Sequence, residues 1–245
     1  MEAFTHFAEK LADCAREIAR AAFTQAREIS QKADKSFVTE TDRILESRLR
    51  EMIEKQFPDH GIFGEEHGRT NVNASHQWVI DPIDGTSAFI AGIPTFTTLI
   101  ALCIDGVPKL GIIDQPILRE RWNSETLKPS TKHQALSTFL IATTSTDYFT
   151  DAEREKFERV RKIASATIRH GDAYLYGKLA DGFIGVVADC GLKPYDFCAV
   201  VPVVQAAGGV ITDWAGKPLT INSNGDVLAC ANADLHKQAL RILND

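Results

Sequence analysis

Nowhere in these 245 residues is there an apolar run long enough to cross a membrane, a block of basic residues or a Cys-x-x-Cys pair. The first absence argues against a membrane partner. The second argues against nucleic acid, whose phosphates demand a basic patch or stripe. The third removes the usual zinc and dithiol spacings. The five cysteines, Cys14, Cys103, Cys190, Cys198 and Cys230, are odd in number and widely spaced. That suits a reduced cytoplasmic protein with small buried thiols better than a disulfide framework. Met1 to Lys10 carries Glu2 and Glu9 and does not read as a signal peptide. Internal repeats and low-complexity segments are also missing, as is any Ser or Cys nucleophile motif.

What is present is ordinary globular composition with a net charge of −6 and both signs dispersed. An excess of negative charge repels an anionic substrate, so bound cations would have to supply the attraction. The length suits one domain over 1–245. A polar stretch near 124–137 loosely divides it into lobes of about 1–130 and 131–245.

Periodicity predicts the elements. Phe4, Phe7, Leu11, Ala15, Ile18 and Ala22 recur at helical spacing and predict a helix over 3–31. Residues 32–41 lack that period and read as a loop or hairpin. A second helix starts near Thr41 or Asp42 and ends before Pro58. Ile62 and Phe63 form a short strand running into acid. Residues 96–122 form a meander about the Asp105-Gly106 turn. Strands near 139–143, 166–169, 183–188, 209–212 and 227–231 then alternate with helices near 151–163, 174–180 and 234–243. The class is α/β or α+β.

The chemistry concentrates in Asp81-Pro82-Ile83-Asp84-Gly85-Thr86, at the end of the apolar run Trp78-Val79-Ile80. Pro82 interrupts regular pairing because it lacks an N–H. Two carboxylates three residues apart on a turning chain can converge. Gly85 allows a tight turn close to a ligand. Amides opening a short helix after it could point at a phosphate. Carboxylates beside free amides suit a Mg²⁺-assisted phosphate site.

Four further clusters accompany it. They are Thr39-Glu40-Thr41-Asp42, Glu65-Glu66 beside Gly64, Arg169-His170-Gly171-Asp172, and Asp189 with Lys193-Pro194-Tyr195-Asp196. Each taken singly also serves as a turn or a helix cap. Their joint appearance at strand ends is harder to explain that way.

Gly64-Glu65-Glu66, then Trp78 through Thr86, then Tyr195-Asp196 with Ala207-Gly208-Gly209, resembles the inositol monophosphatase family in order and spacing over nearly the whole chain. Leu110 to Trp122, Leu192 to Phe197 and Arg169 to Asp172 look most like its histidinol-phosphate phosphatase branch. Ser87-Ala88-Phe89, Tyr195 and Gln205 depart from the inositol-type pattern in the same direction.

The resemblance implies a layered αβαβα fold, usually a homodimer, acting on a small phosphate ester with two or three Mg²⁺ per site. By position, Glu65, Asp81, Asp84 and Asp196 would be the metal carboxylates, with the Ile83 carbonyl as a further ligand. Thr86 and Asp42 would orient or deprotonate an attacking water with help from Glu65. The amides of Gly85 and Thr86 would hold phosphate oxygens, and no covalent intermediate is expected. The branch implies hydrolysis of L-histidinol phosphate, with an inositol, sugar or nucleotide phosphate as the alternative and a silent phosphate-binding homologue as a third reading. Histidinol carries an ammonium group, for which Asp172 and Asp189 are candidate partners, with Arg169 beside them or the phosphate. Pro202 falls inside the helix expected after Asp196, where it should cause a kink.

Overall fold

The computed structural model describes residues 1–25, 29–31, 37–130 and 138–245. Helix α1 (Glu2–Phe23) leads, followed by strands β1 (Ile29–Gln31) and β2 (Phe37–Thr39), which pair antiparallel, and helix α2 (Glu40–Gln56). The helix expected over 3–31 stops early because its apolar period stops. Thr24 and Gln25 offer no face to bury, and the Thr24 amide closes the last turn on the Ala22 carbonyl.

Next come β3 (Gly61–Gly64), β4 (Gly68–Thr70), β5 (His76–Asp84), the short helix α3 (Thr86–Ala91), β6 (Thr97–Ile104), β7 (Val107–Gln115) and β8 (Glu120–Asn123). The strands form one sheet in the order β4-β3-β5-β6-β7-β8, antiparallel except for the β3–β5 pair. A second sheet is built from β9 (Leu140–Thr143), β10 (Ala166–Arg169), β11 (Val186–Asp189), β12 (Val210–Thr212) and β13 (Val227–Cys230), in the order β10-β9-β11-β13-β12. Its first three strands are mutually parallel. The helices of this half are α4 (Asp151–Arg161), α5 (Asp172–Ala180), α6 (Pro194–Phe197), α7 (Val200–Ala206) and α8 (Ala233–Asn244).

Both sheets are buried on both faces, and strand alternation assigns each face. Trp78, Ile80, Ile100 and Leu102 pack under α1 and α2 with Leu11, Leu45 and Leu49. On the other face, Val79, Leu99 and Ala101 meet Leu175, Phe197 and Val203 of α5, α6 and α7, and through them Val187 and Ala229 of the second sheet. The far side of that sheet, with Val186 and Leu228, closes on Phe157 of α4 and Leu235 of α8. The layers are therefore α/β/α/β/α. The expected break at 124–137 lies partly outside the described residues, with one sheet on each side of it.

Pro202 is accommodated by a break. The stretch after Asp196 is two helices rather than one, and Pro202 is the third residue of α7. First-turn amides have no partner within a helix, so its missing N–H costs nothing there. The proline ring and the Ala199 carbonyl rest on Gly111 of β7, where an added Cβ would come within 2.0 Å of that carbonyl.

Candidate active site

The first sheet delivers the carboxylates at one end. Strand β5 continues past Pro82 to Asp84, but its register with β6 shifts between Asp81 and Asp84. Thr98 closes the irregular stretch by donating to the Pro82 carbonyl at 2.8 Å. The shift brings Asp81 and Asp84 to the same mouth. Gly85, at φ +84°, turns the chain into α3 and places Thr86 at its first position. Asp196 arrives from α6 in the middle layer. Among the described residues, carboxylate oxygens of Asp81, Asp84 and Asp196 lie within 4.8 Å of one another.

Each acid is held differently. One Asp84 oxygen accepts from Thr97, its cross-strand neighbour, at 3.0 Å and from the Ala173 amide at 2.7 Å. One Asp196 oxygen accepts from the Lys193 amide at 2.7 Å. Oδ1 of Asp81 is buried without a hydrogen-bond partner. Burial, then mutual repulsion, pushes Asp81 and Asp84 well above the usual carboxylate range. Burial likewise pushes Asp196 up to about 7. Buried like charges with an orphaned oxygen are unfavourable alone, and a multivalent cation relieves them. The donors are all oxygen, the set that hard cations prefer.

Glu65 lines the same cleft, and its charge acts on Asp81 and Asp196, but it lies outside the tight triad. Its turn is fixed by a residue that belongs to none of those motifs. Glu46, buried on α2, accepts from the amides of Glu66 at 2.6 Å and His67 at 3.0 Å. Arg50 pairs with Glu46 at 2.8 Å and also donates to the Gly68 carbonyl. A Cβ at Gly64 would sit 2.0 Å from the Glu46 carboxylate, so only glycine fits. Glu46 follows Asp42 by four residues on the same helix face, the one trace it leaves in the sequence.

Asp42 is not the helix cap. Thr39 is, and Asp42 closes a capping box, accepting from the Thr39 amide at 2.8 Å and its hydroxyl at 2.5 Å. The other Asp42 oxygen lies 3.3 Å from the Thr86 hydroxyl, which is also 3.1 Å from the Ile83 carbonyl. The expected hydroxyl–carboxylate pair is thus in contact. Burial raises the Asp42 pKa.

The cleft, about 630 Å³, continues from these groups past Thr144, Tyr148, Asp172, Tyr176, Gly191, Leu192, Lys193 and Tyr195. Asp172 sits at the start of α5 with φ +44°. Its carboxylate lies so close to Gly85 that a Cβ there would be 2.7 Å from it. Burial and the charge of Asp189 raise it to about 6.

Two expected substrate residues are placed elsewhere. Asp189 is 1% exposed and does not line the cleft. Its oxygens accept from Thr143 Oγ1 at 2.8 Å, the Thr144 amide at 2.7 Å and Tyr176 OH at 2.7 Å. It braces the wall from behind, with no oxygen turned to a substrate ammonium. Arg169 lies on edge strand β10, exposed, and donates to Thr146 Oγ1 at 3.2 Å. Trp122 is a core residue, its indole N–H on Asp181 at 2.8 Å.

The model of the inositol monophosphatase family matches residues 1–245. The chain belongs to the inositol monophosphatase family. It is 39% identical over 262 residues to the bifunctional phosphatase IMPL2, chloroplastic, of Arabidopsis thaliana, covering 99% of this chain and 75% of that one. It is 34% identical over 212 residues to a histidinol-phosphatase of Chlorobaculum parvum, covering 82% of each. Among solved structures, an inositol monophosphatase from Zymomonas mobilis superposes with a TM-score of 0.87 at 39% identity, covering 100% of this chain and 98% of that one. The chain is a phosphatase of this family, with its fold. No helix among the described residues is long and apolar enough to cross a membrane.

Proposed function

We propose that this chain is a Mg²⁺-dependent phosphatase that converts L-histidinol phosphate to L-histidinol and phosphate. Asp81, Asp84 and Asp196, with Glu65 and the Ile83 carbonyl, would hold the cations. When bound there, Mg²⁺ neutralises the phosphate and lowers the pKa of water. The chain's own residues do the rest. Thr86 Oγ1 stands between solvent and Asp42 Oδ1, so a proton taken from an attacking water can pass through the hydroxyl to the carboxylate. The capping box holds Asp42 for that task, and burial makes it a better base. The amides of Gly85 and Thr86 would hold phosphate oxygens. The homodimeric, cytoplasmic state typical of such enzymes belongs to the same proposal.

The observation that carries histidinol phosphate is Asp172. It sets a carboxylate against the Gly85 turn, beside where phosphate would sit, with the oxygens needed for an ammonium. The wall beyond it carries the rings of Tyr148, Tyr176 and Tyr195 together with Leu192, Thr144 and Lys193. The histidinol-phosphatase relative supports the same substrate. The Zymomonas mobilis neighbour keeps inositol phosphate as the alternative. The test is kcat/KM with Mg²⁺ for histidinol phosphate, inositol 1-phosphate and a sugar or nucleotide phosphate. A preference for histidinol phosphate of about a hundredfold, roughly 2.7 kcal/mol of differential transition-state binding, is expected. A flat profile or a preference for inositol phosphate would reject the substrate and keep the phosphatase.

A further inference from the structure

Tyr148 is 72% exposed, the most exposed of the large apolar side chains among the described residues, yet it does not stand on a loose tip. It ends a single 3-10 turn, Thr146–Tyr148, between two anchored neighbours. Before it, Ser145 Oγ accepts from the Asp147 amide at 3.0 Å, and Thr146, itself buried, receives Arg169. After it, Phe149 is buried edge-on to Phe157 and Trp214, with ring centroids at 5.6 and 5.8 Å. The backbone is thereby fixed on both sides of an exposed ring. The ring lines the cleft and makes no ring contact among the described residues. Its Cβ and carbonyl lie 3.9 Å from the position a Cβ would take at Gly191, a residue at φ +75°.

The placement follows from topology. Strands β9 and β11 are parallel, and the segments leaving their C-terminal ends, 144–148 and 190–196, form this wall. Asp196 of the metal triad closes the second segment. A substrate held by its phosphate at the triad would extend its leaving group along these residues. An exposed aromatic held in a rigid turn on that path presents a face to a flat ring.

Resting on the substrate reading above, we infer that Tyr148 is a specificity-determining residue, stacking on the imidazole of the leaving group. Neutral imidazole gains by aromatic stacking, and imidazolium by attraction to the ring face. Arg169, expected to touch substrate, instead braces the turn that carries this ring.

The experiment compares kcat/KM for histidinol phosphate and for glycerol 2-phosphate, which has no ring, in wild type, Tyr148→Ala and Tyr148→Phe. In Tyr148→Ala the ratio of the two should fall about three- to tenfold, the fall residing in KM for histidinol phosphate. Tyr148→Phe should keep the wild-type ratio. An unchanged ratio in Tyr148→Ala would overturn the role of Tyr148 while leaving the substrate intact. A wild type inactive on histidinol phosphate would overturn both.

Discussion

Where Asp81, Asp84 and Asp196 meet, the cleft is crowded with charge that the protein alone does not balance. Where Tyr148, Gly191 and Leu192 stand, it is lined, among the described residues, by no carboxylate cluster and is shaped by rings, bare backbone and the single lysine Lys193. The first end comes from an irregular strand, a glycine turn and two helix starts, all held by hydrogen bonds to one oxygen of each anchored acid. The second comes from the ends of two parallel strands. One end is strained toward a reaction common to many phosphate esters. The other lies away from the phosphate chemistry, where the proposed selection among esters would act. Asp172 stands at the junction, against the Gly85 turn and lining the cleft.

Breaking the charged end should have the largest effect. Asp84→Asn keeps the volume but removes one of the three carboxylate charges of the triad, and kcat should fall roughly a thousandfold or more on every substrate while the far-ultraviolet spectrum stays native. Unchanged turnover would remove Asp84 from the metal site. Gly64→Ala forces the Glu46 carboxylate, and with it the Glu65 turn, to move. Misplacing such a group by about 1 Å costs on the order of a hundredfold in kcat/KM. A fully active Gly64→Ala protein would show that the Glu46 contact does not position Glu65.

The same charge should be visible in stability. The acids at this end titrate higher in the fold than in the unfolded chain, Asp196 near about 7 and Asp172 near about 6. Above those values both states are ionised and the fold carries the full repulsion. As pH falls through them, the folded state takes up protons first and the cost is relieved. The metal-free protein should therefore gain Tm between about pH 8 and pH 5, and saturating Mg²⁺ should flatten or reverse that trend. A Tm that falls steadily over the same window without metal would contradict the electrostatic account.

Asp189→Asn should show the smallest discrimination. It weakens the contacts to Thr143, Thr144 and Tyr176, worth about 1–3 kcal/mol, and should lower Tm by several degrees. Because Asp189 acts through the wall, its loss should lower activity on histidinol phosphate and on a plain alkyl phosphate by similar factors. A selective loss on histidinol phosphate would restore the ammonium contact expected from the sequence.

That correction shows what the sequence can and cannot carry. The carboxylates of the charged end lie in short local motifs, and the turn chemistry of Asp81 to Thr86 dictates its own geometry, so they were legible. Strand and helix periods were legible too, because each sheet is buried on two faces and reads as dense apolar runs. The partners that hold the acids were not. Glu46, Thr97 and the Ala173 amide act across tertiary contacts that leave no local pattern. Asp189 and Asp172 look equivalent as acids near a glycine, and only burial separates a brace from a contact. Pro202 looked like a defect because the break between α6 and α7 is set by packing on Gly111, far away in sequence.

On the proposed reading, substrate selection resides apart from the phosphate chemistry and begins at Asp172. The most direct test is kcat/KM of Asp172→Asn for histidinol phosphate and for glycerol 2-phosphate. Asparagine tolerates the left-handed backbone at this position, so the turn is kept while the charge is removed. The loss should be about ten- to hundredfold greater on histidinol phosphate, the worth of a charged hydrogen bond. An equal loss on both substrates would contradict it and return Asp172 to the machinery of the common reaction.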